Sequence, residues 1–299
     1  MEKPLVSILI PVTGNSIYLE LALTSVLLQT YTNIEIIIRD PTPTDAIQTL
    51  LEKEFLPYSN RITYIKDNRY MPRVEILHEL LRVSQGEYIN FLREEDLFYP
   101  EKIEKMMNYF FYDVNNSIKL ITSNTELIDR HGNLVDDFKT INKIHKTDGK
   151  WDSTVGSNLI LKHKNYIGGL SVPLFRKKDL IQPFGVFSGH QFIKEIELAS
   201  WLTLVSQGEC VFIEEDLIFE RKNHNYKITM DLVTDWIHFI KLIIQNDYKI
   251  TKSTQKYIFN KVLGWIEHLL SNSANKLTII EREKIFEYKE YLYELKAIK

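Results

Sequence analysis

Acidic residues in this chain gather where a fold can use them. Arg93-Glu94-Glu95-Asp96 follows directly on the strand-like run Gly86-Glu87-Tyr88-Ile89-Asn90-Phe91-Leu92. Asp40 closes another apolar run, Ile34 to Ile38. Glu195 and Glu197 fall in a stretch, Gln191 to Ser206, whose pattern predicts a helix, and Glu197 stands one turn before Trp201 on the same face. Carboxylates so placed can accept a proton, bind a cation or take hydrogen bonds from a ligand. The same residue types also make solvated turns and surface ion pairs. Gly168-Gly169-Leu170-Ser171 reads as a turn without bulky side chains, and Arg221-Lys222-Asn223-His224 sets a cation near an imidazole. His145, His163 and His190 lack partners at ligand spacing. The sequence carries no cysteine–histidine zinc pattern, Walker loop or serine-nucleophile motif.

These groups need a frame, and the first 100 residues supply one. Leu5 to Ile10 is a β-rich run stopped by Pro11, and Asn15 or Ser16 can cap a helix with Ile17, Leu21, Val26 and Leu28 at roughly helical spacing. A strand over 34–38, a helix from Asp45 to about Phe55, a strand over 62–65, a helix over 74–84 and a strand over 86–92 follow. Such alternation predicts a mostly parallel sheet covered on both faces, with ligands bound beyond the carboxyl ends of its strands. Thr13 to Asn15, Asp40 to Asp45 and Arg93 to Asp96 all fall at those ends. Further on, a helix over 100–111 and strands over 120–123 and 126–129 are expected. Lys139 to Lys164 shows no periodicity and reads as a mobile loop. Three helices, over 231–245, 253–270 and 279–295, close the chain. The reading is thus an α/β domain over 1–225 and an α-helical C-terminal appendage over 226–299.

With 299 residues, 44% hydrophobic and 26% charged, the chain is globular, and disordered or fibrous classes are excluded. A balance of 37 basic against 40 acidic side chains argues against nucleic acid as a partner, since duplex binding needs a basic face. The single cysteine, Cys210, forms no internal disulfide, and the apolar run Leu5 to Val12 is far shorter than the roughly 20 residues of a membrane span. A cytoplasmic location is the expectation.

The text resembles the family-2 glycosyltransferases of the GT-A fold, a Rossmann-like sheet between helices. The resemblance runs in order through Pro4-Leu5-Val6-Ser7-Ile8-Leu9-Ile10-Pro11-Val12, Leu27-Leu28-Gln29-Thr30-Tyr31-Thr32-Asn33-Ile34-Glu35-Ile36-Ile37, residues 86–92 and Asp96-Leu97-Phe98-Tyr99-Pro100-Glu101-Lys102-Ile103. Weaker echoes at 168–171, 174–176, 197–202, Gly208 and 221–224 extend it to about residue 225. It implies inverting transfer of a sugar from a nucleotide diphosphate, with UDP leading, to a hydroxyl of a glycan, lipid-linked or protein acceptor. Surface glycan biosynthesis in bacteria fits that class.

The resemblance also implies roles. Pro11, Val12, Thr13 and Asp40 would meet the nucleotide, with Arg73, Arg93, Glu94 and Arg221 near the base or phosphates. Glu95, Asp96 and His224 would hold Mn²⁺ or Mg²⁺, Gly168, Gly169, Ser171 and Trp201 would border the sugars, and Glu197, with Glu195 second, would be the base. The chain departs from the family pattern at three places. Arg93 stands at the first acidic position of an acidic-x-acidic motif, Leu77-His78 replaces an arginine–asparagine pair, and one extra residue separates Arg221 from His224. The departures keep open a second reading, a GT-A-shaped binding or scaffold module without turnover. A nucleotidyltransferase would need basic residues near Pro11, and Thr13-Gly14-Asn15 has none. The tail could contact a protein or a membrane surface.

Overall fold

The computed structural model describes residues 3–135, 147–163, 166–222, 227–246, 248–271 and 277–297. The first half runs β1 (Val6–Pro11), α1 (Ser16–Leu27), β2 (Ile34–Asp40), α2 (Ala46–Glu54), β3 (Ile62–Lys66), α3 (Arg73–Val83), β4 (Tyr88–Phe91), β5 (Leu97–Phe98) and α4 (Lys102–Phe111). It continues with β6 (Ile118–Ile128), β7 (Gly149–Trp151), α5 (Ser153–Lys162), β8 (Leu174–Arg176), β9 (Val186–Phe187), β10 (His190–Gln191), α6 (Ile196–Val205) and β11 (Glu209–Arg221). Helices α7 (Met230–Gln245), α8 (Lys252–Ser271) and α9 (Ile279–Ala297) complete the described chain.

The main sheet has the order β3-β2-β1-β4-β8-β6-β11-β5, with β7 paired to β11. Strands β1 to β4 are parallel, as their alternation with helices requires, and β8 runs antiparallel between β4 and β6. Side chains on a strand point to opposite faces in turn, so Ile8 and Ile10 enter one apolar cluster and Leu9 the other. Ile36 and Ile38 divide from Ile37 in the same way. One cluster lies under α1, α2 and α4; the other takes α3, α5, α6 and the tail helices. Both sheet faces are therefore dry, which explains strands that read as unbroken apolar runs.

Local chemistry sets several boundaries. Asn15 caps α1 by accepting the N–H of Tyr18 at 3.1 Å. Gly86 must be glycine, because a Cβ there would stand 2.6 Å from the backbone nitrogen of Ser7. The expected loop over 139–164 is corrected where the chain is described. Residues 149–151 add an edge strand to β11, and Asp152 caps α5 through the N–H of Val155 at 2.9 Å. Its run Leu159-Ile160-Leu161 is too short for a visible helical period, yet Ile160 and Leu161 are buried. The two strands expected between 120 and 129 are one, with the irregularity lying in the β11 partner as register shifts after Ile213 and Asp216. Residues 136–146 lie outside the described chain.

The tail is three helices, as its pattern predicts, but α7 does not stand apart. Trp236, Phe239, Ile240 and Ile243 join the cluster that holds Phe192, Leu198 and Trp201. The boundary at residue 225 divides the sequence; in space the core crosses it.

Candidate functional site

The turn after β4 folds Arg93 back over its own neighbours. Asp96 N–H donates to the carbonyl of Arg93 at 3.1 Å, and the guanidinium grips the Asp96 carboxylate with two bonds, Nε at 2.8 Å and Nη2 at 2.9 Å. Nη2 also donates to Glu220 on β11 at 3.2 Å, and Nη1 pairs with Glu95 at 3.2 Å. One planar cation thus bridges three carboxylates from two strand ends. Burial alone would favour loss of its proton, but Asp96, Glu95 and Glu220 outweigh that and hold the guanidinium well above its usual range. Burial raises the Glu95 carboxyl, against the pull of Arg93. Burial and the neighbouring Asp96 charge push Glu220 up to about 7.

Asp96 is fully buried and has further donors: Ser171 Oγ at 2.6 Å and the N–H of Arg221 at 3.0 Å. Ser171 in turn accepts the N–H of Arg93 at 2.9 Å. The Arg221 side chain donates to the carbonyls of Glu95 and Asp129 and lies over the Tyr18 ring at 4.3 Å. Ser171 and Arg221 therefore brace the turn. Gly169 lets Glu220 approach, since a Cβ there would be 2.8 Å from Oε1, and Gly168 has φ +80°, a conformation glycine adopts without strain.

Arg93 forms one wall of a cleft of about 470 Å³. Gly168 and Gly169 floor it, and Arg73, Lys194, Glu195, Glu197, Trp201 and Lys227 face in from α3, α6 and the start of the tail. Seven residues proposed from the sequence for binding or catalysis meet here: Arg73, Arg93, Gly168, Gly169, Glu195, Glu197 and Trp201. Glu197 lies in the first turn of α6 and takes a 2.5 Å bond from Arg73 Nη2 at the start of α3. Glu195 is buried and accepts from the indole N–H of Trp236 at 3.2 Å, so it is tied to the tail and is less accessible than Glu197. The helix starts at Ile196 instead of Gln191, because residues 190–191 pair in a hairpin with β9. Asp235 of α7 accepts the N–H groups of Ile193, Lys194 and Glu195, which fixes the entry to α6.

The nucleotide-side expectations lie on the neighbouring strand ends, and Pro11, Val12, Thr13 and Asp40 do not line this cleft. Glu94 is buried and accepts from the N–H groups of Thr13 at 2.9 Å, Gly14 at 3.2 Å and Asn15 at 3.1 Å, and from the Thr13 hydroxyl. It closes the β1–α1 loop and presents no free oxygen to a ligand. Asp40 is likewise internal. It takes Thr42 N–H at 2.8 Å, Thr42 Oγ1 at 2.7 Å, Tyr64 OH at 2.7 Å and Lys66 Nζ at 3.1 Å. Burial would raise its carboxyl, but the Thr42, Tyr64 and Lys66 donors bring it below the usual carboxylate range.

A divalent cation finds no ready donor set here. Mg²⁺ and Mn²⁺ need several oxygen ligands with room for water or phosphate. The three carboxylates at this position are already turned onto a guanidinium that cannot lose its proton. Among the described residues no group of three acidic, histidine or cysteine side chains could hold a metal. Glu95 and Asp96, the two expected ligands described in the structure, are both paired with Arg93, and Asp96 has no exposed surface at all. His224, the third expected ligand, lies outside the described residues.

Four contributors were not anticipated. Glu220 hides in a strand whose charged run Glu214-Glu215-Asp216 masks its β character. Asp235 looks like any acid in the first turns of a helix. Lys194 and Lys227 carry no spacing signal and become informative only when the cleft gathers them.

The profile of glycosyl transferase family 2 matches residues 7–151. A glycosyltransferase of Rickettsia bellii is 35% identical over 130 residues, 43% of this chain and 18% of that protein. The chain spans less than two fifths of the length of this and three other rickettsial relatives. The putative teichuronic acid biosynthesis glycosyltransferase TuaG of Bacillus subtilis is 22% identical over 229 residues, 76% of this chain and 82% of that one. Residues 1–349 of S. aureus TarS, solved with UDP-GlcNAc, superpose with a TM-score of 0.64 at 13% identity, covering 95% of this chain and 79% of that one. That last likeness is one of fold.

Proposed function

We propose, from the match of residues 7–151 to the profile of glycosyl transferase family 2 and from the GT-A fold, that the chain is a member of that family and moves a sugar from a nucleoside diphosphate to an acceptor hydroxyl with inversion. The observation that carries this reading is the cleft of about 470 Å³ that Glu197 lines together with Gly168, Gly169 and Arg93. Pockets of that size suit a small organic ligand. The Glu197 carboxylate takes the proton of the acceptor hydroxyl as its oxygen bonds to the anomeric carbon. The bond from that carbon to the diphosphate oxygen breaks, and the electron pair leaves with the diphosphate. Attack and departure lie on opposite faces of the sugar, so the configuration inverts. Trp201 offers an apolar wall and an indole N–H without a hydrogen-bond partner among the described residues.

A uridine donor is favoured by the UDP-GlcNAc complex of TarS, and a cell-surface polymer as acceptor by the likeness to TuaG. The test is donor turnover. With UDP-GlcNAc as donor, Glu197→Gln should lower kcat by about 10²–10⁴-fold, the usual worth of a general base, and leave UDP affinity within twofold. Unchanged turnover removes Glu197 from the role. One observation favours the reading as a binding module: Arg73 already pairs with Glu197. UDP binding by wild-type protein, without hydrolysis or transfer of any UDP- or GDP-sugar, would establish that module.

A further inference from the structure

A divalent ion in a sugar-nucleotide site answers one need, the negative charge of a diphosphate as its bond to sugar breaks. Here the position such an ion would take is filled from within. Arg93 is held by Asp96 through a two-bond fork and by Glu95 and Glu220 at 3.2 Å each. Putting a metal there would mean breaking that fork and forcing a permanent cation aside. It would also set two or three positive charges within a few ångströms, at a cost several-fold above that in water. The cleft supplies fixed cations of its own: Arg73, Lys194 and Lys227 share it with Arg93. The matching anionic wall is smaller, for Glu195 is turned onto Trp236 and Glu197 is matched by Arg73.

We propose that this chain binds its nucleotide diphosphate without a divalent cation, Arg93 occupying the cation position and Arg73, Lys194 and Lys227 meeting the phosphates. The inference rests on the nucleotide-sugar reading above and adds to it how the charge of the leaving group is met. Arg93 is neutralised by the carboxylates it bridges, so its role is to close the metal position without adding net positive charge to the cleft. Lys194 and Lys227, both exposed where they line the cleft, are the partners of phosphate. Among the described residues Lys194 has a loose ion pair, 4.0 Å from Asp231.

Calorimetric titration of the full chain with UDP and with GDP, in EDTA and in saturating manganese, tests this. The expected result for the wild type is an affinity for the preferred nucleotide that differs by less than about twofold between the two conditions. Lys227→Ala should weaken it about tenfold in EDTA. Arg93→Asp restores an acidic-x-acidic pattern. It should bind at least about tenfold more weakly in EDTA and recover with manganese. Arg93→Lys keeps the charge and serves if the aspartate variant does not fold; it should bind in EDTA as the wild type does. Wild-type binding that tightens tenfold or more with manganese overturns the inference and leaves the sugar-nucleotide reading intact. An Arg93→Asp protein that binds in EDTA like the wild type also overturns it. No binding of either nucleotide in either condition overturns the nucleotide-sugar reading, and this inference with it.

Discussion

Glu220 is the residue whose state changes near neutrality. Burial and Asp96 lift its carboxyl from 4.5 to about 7 in the folded chain. Below about pH 4.5 it is protonated in both folded and unfolded chains and contributes no slope. Between there and about 7 the unfolded chain has released the proton while the folded chain retains it, so the folded state binds more protons and stability falls as pH rises. Above about 7 the loss is complete, on the order of 3 kcal/mol. Urea midpoints from pH 4.5 to 8 should therefore decline less in Glu220→Gln, which keeps an acceptor for Arg93 and removes the charge. Parallel pH profiles for the two proteins would mean that Glu220 is not perturbed. This residue also marks the limit of what spacing can reveal. Arg93 is conspicuous because a cation interrupts an acidic run at a strand end. Glu220 matters only because β11 returns beside that end from more than 100 residues away, and nothing local announces the return.

Elements show the same division. The four parallel strands and their helices are legible because burial on both faces leaves unbroken apolar runs and caps such as Asn15 punctuate them. Helix α5 was hidden because its buried side is covered in part by the tail, where Asn158 donates to the Lys249 carbonyl and accepts the N–H of Thr251. The start of α6 is not legible in its own residues because its boundary is set from α7. Asp235 takes three N–H groups that no residue near α6 can satisfy. Replacing it by alanine takes the acceptor from all three and leaves the buried N–H of Glu195 unpaired, a cost of about 2–3 kcal/mol for bonds to a charged group. Asp235→Ala should lose that much stability in urea. It should also reduce turnover of the proposed reaction more than nucleotide affinity, because the residues it anchors lead directly to Glu197. Equal loss of both would indicate general loosening of the cleft instead. Asp235→Asn, which retains an acceptor oxygen, should recover part of each.

At the scale of the molecule, the tail behaves as the third layer of the domain. Trp236 is fully buried, donates to Glu195, and carries Lys261 of α8 over its ring at 4.2 Å. Phe239 stacks on Phe192 with centroids 3.9 Å apart, and Phe187 packs against Phe239 and Tyr248. The face of the sheet domain that carries Leu198, Trp201 and Phe192 is thus dry only because α7 covers it. Among the described residues no helix is long and apolar enough to cross a membrane, and the apolar side of α7 is spent on this core. A chain ending at residue 225 would expose that cluster and strip the anchor from the entry to α6, a loss exceeding the few kcal/mol by which domains are usually stable. We expect such a chain to aggregate or to lack a cooperative melt by circular dichroism. In the intact chain, Trp236→Ala should cost about 3–5 kcal/mol, the usual price of truncating a buried aromatic. A soluble 1–225 fragment melting cooperatively within a few degrees of the full chain would make the helices an appendage after all. The cleft would then owe its shape to the sheet domain alone.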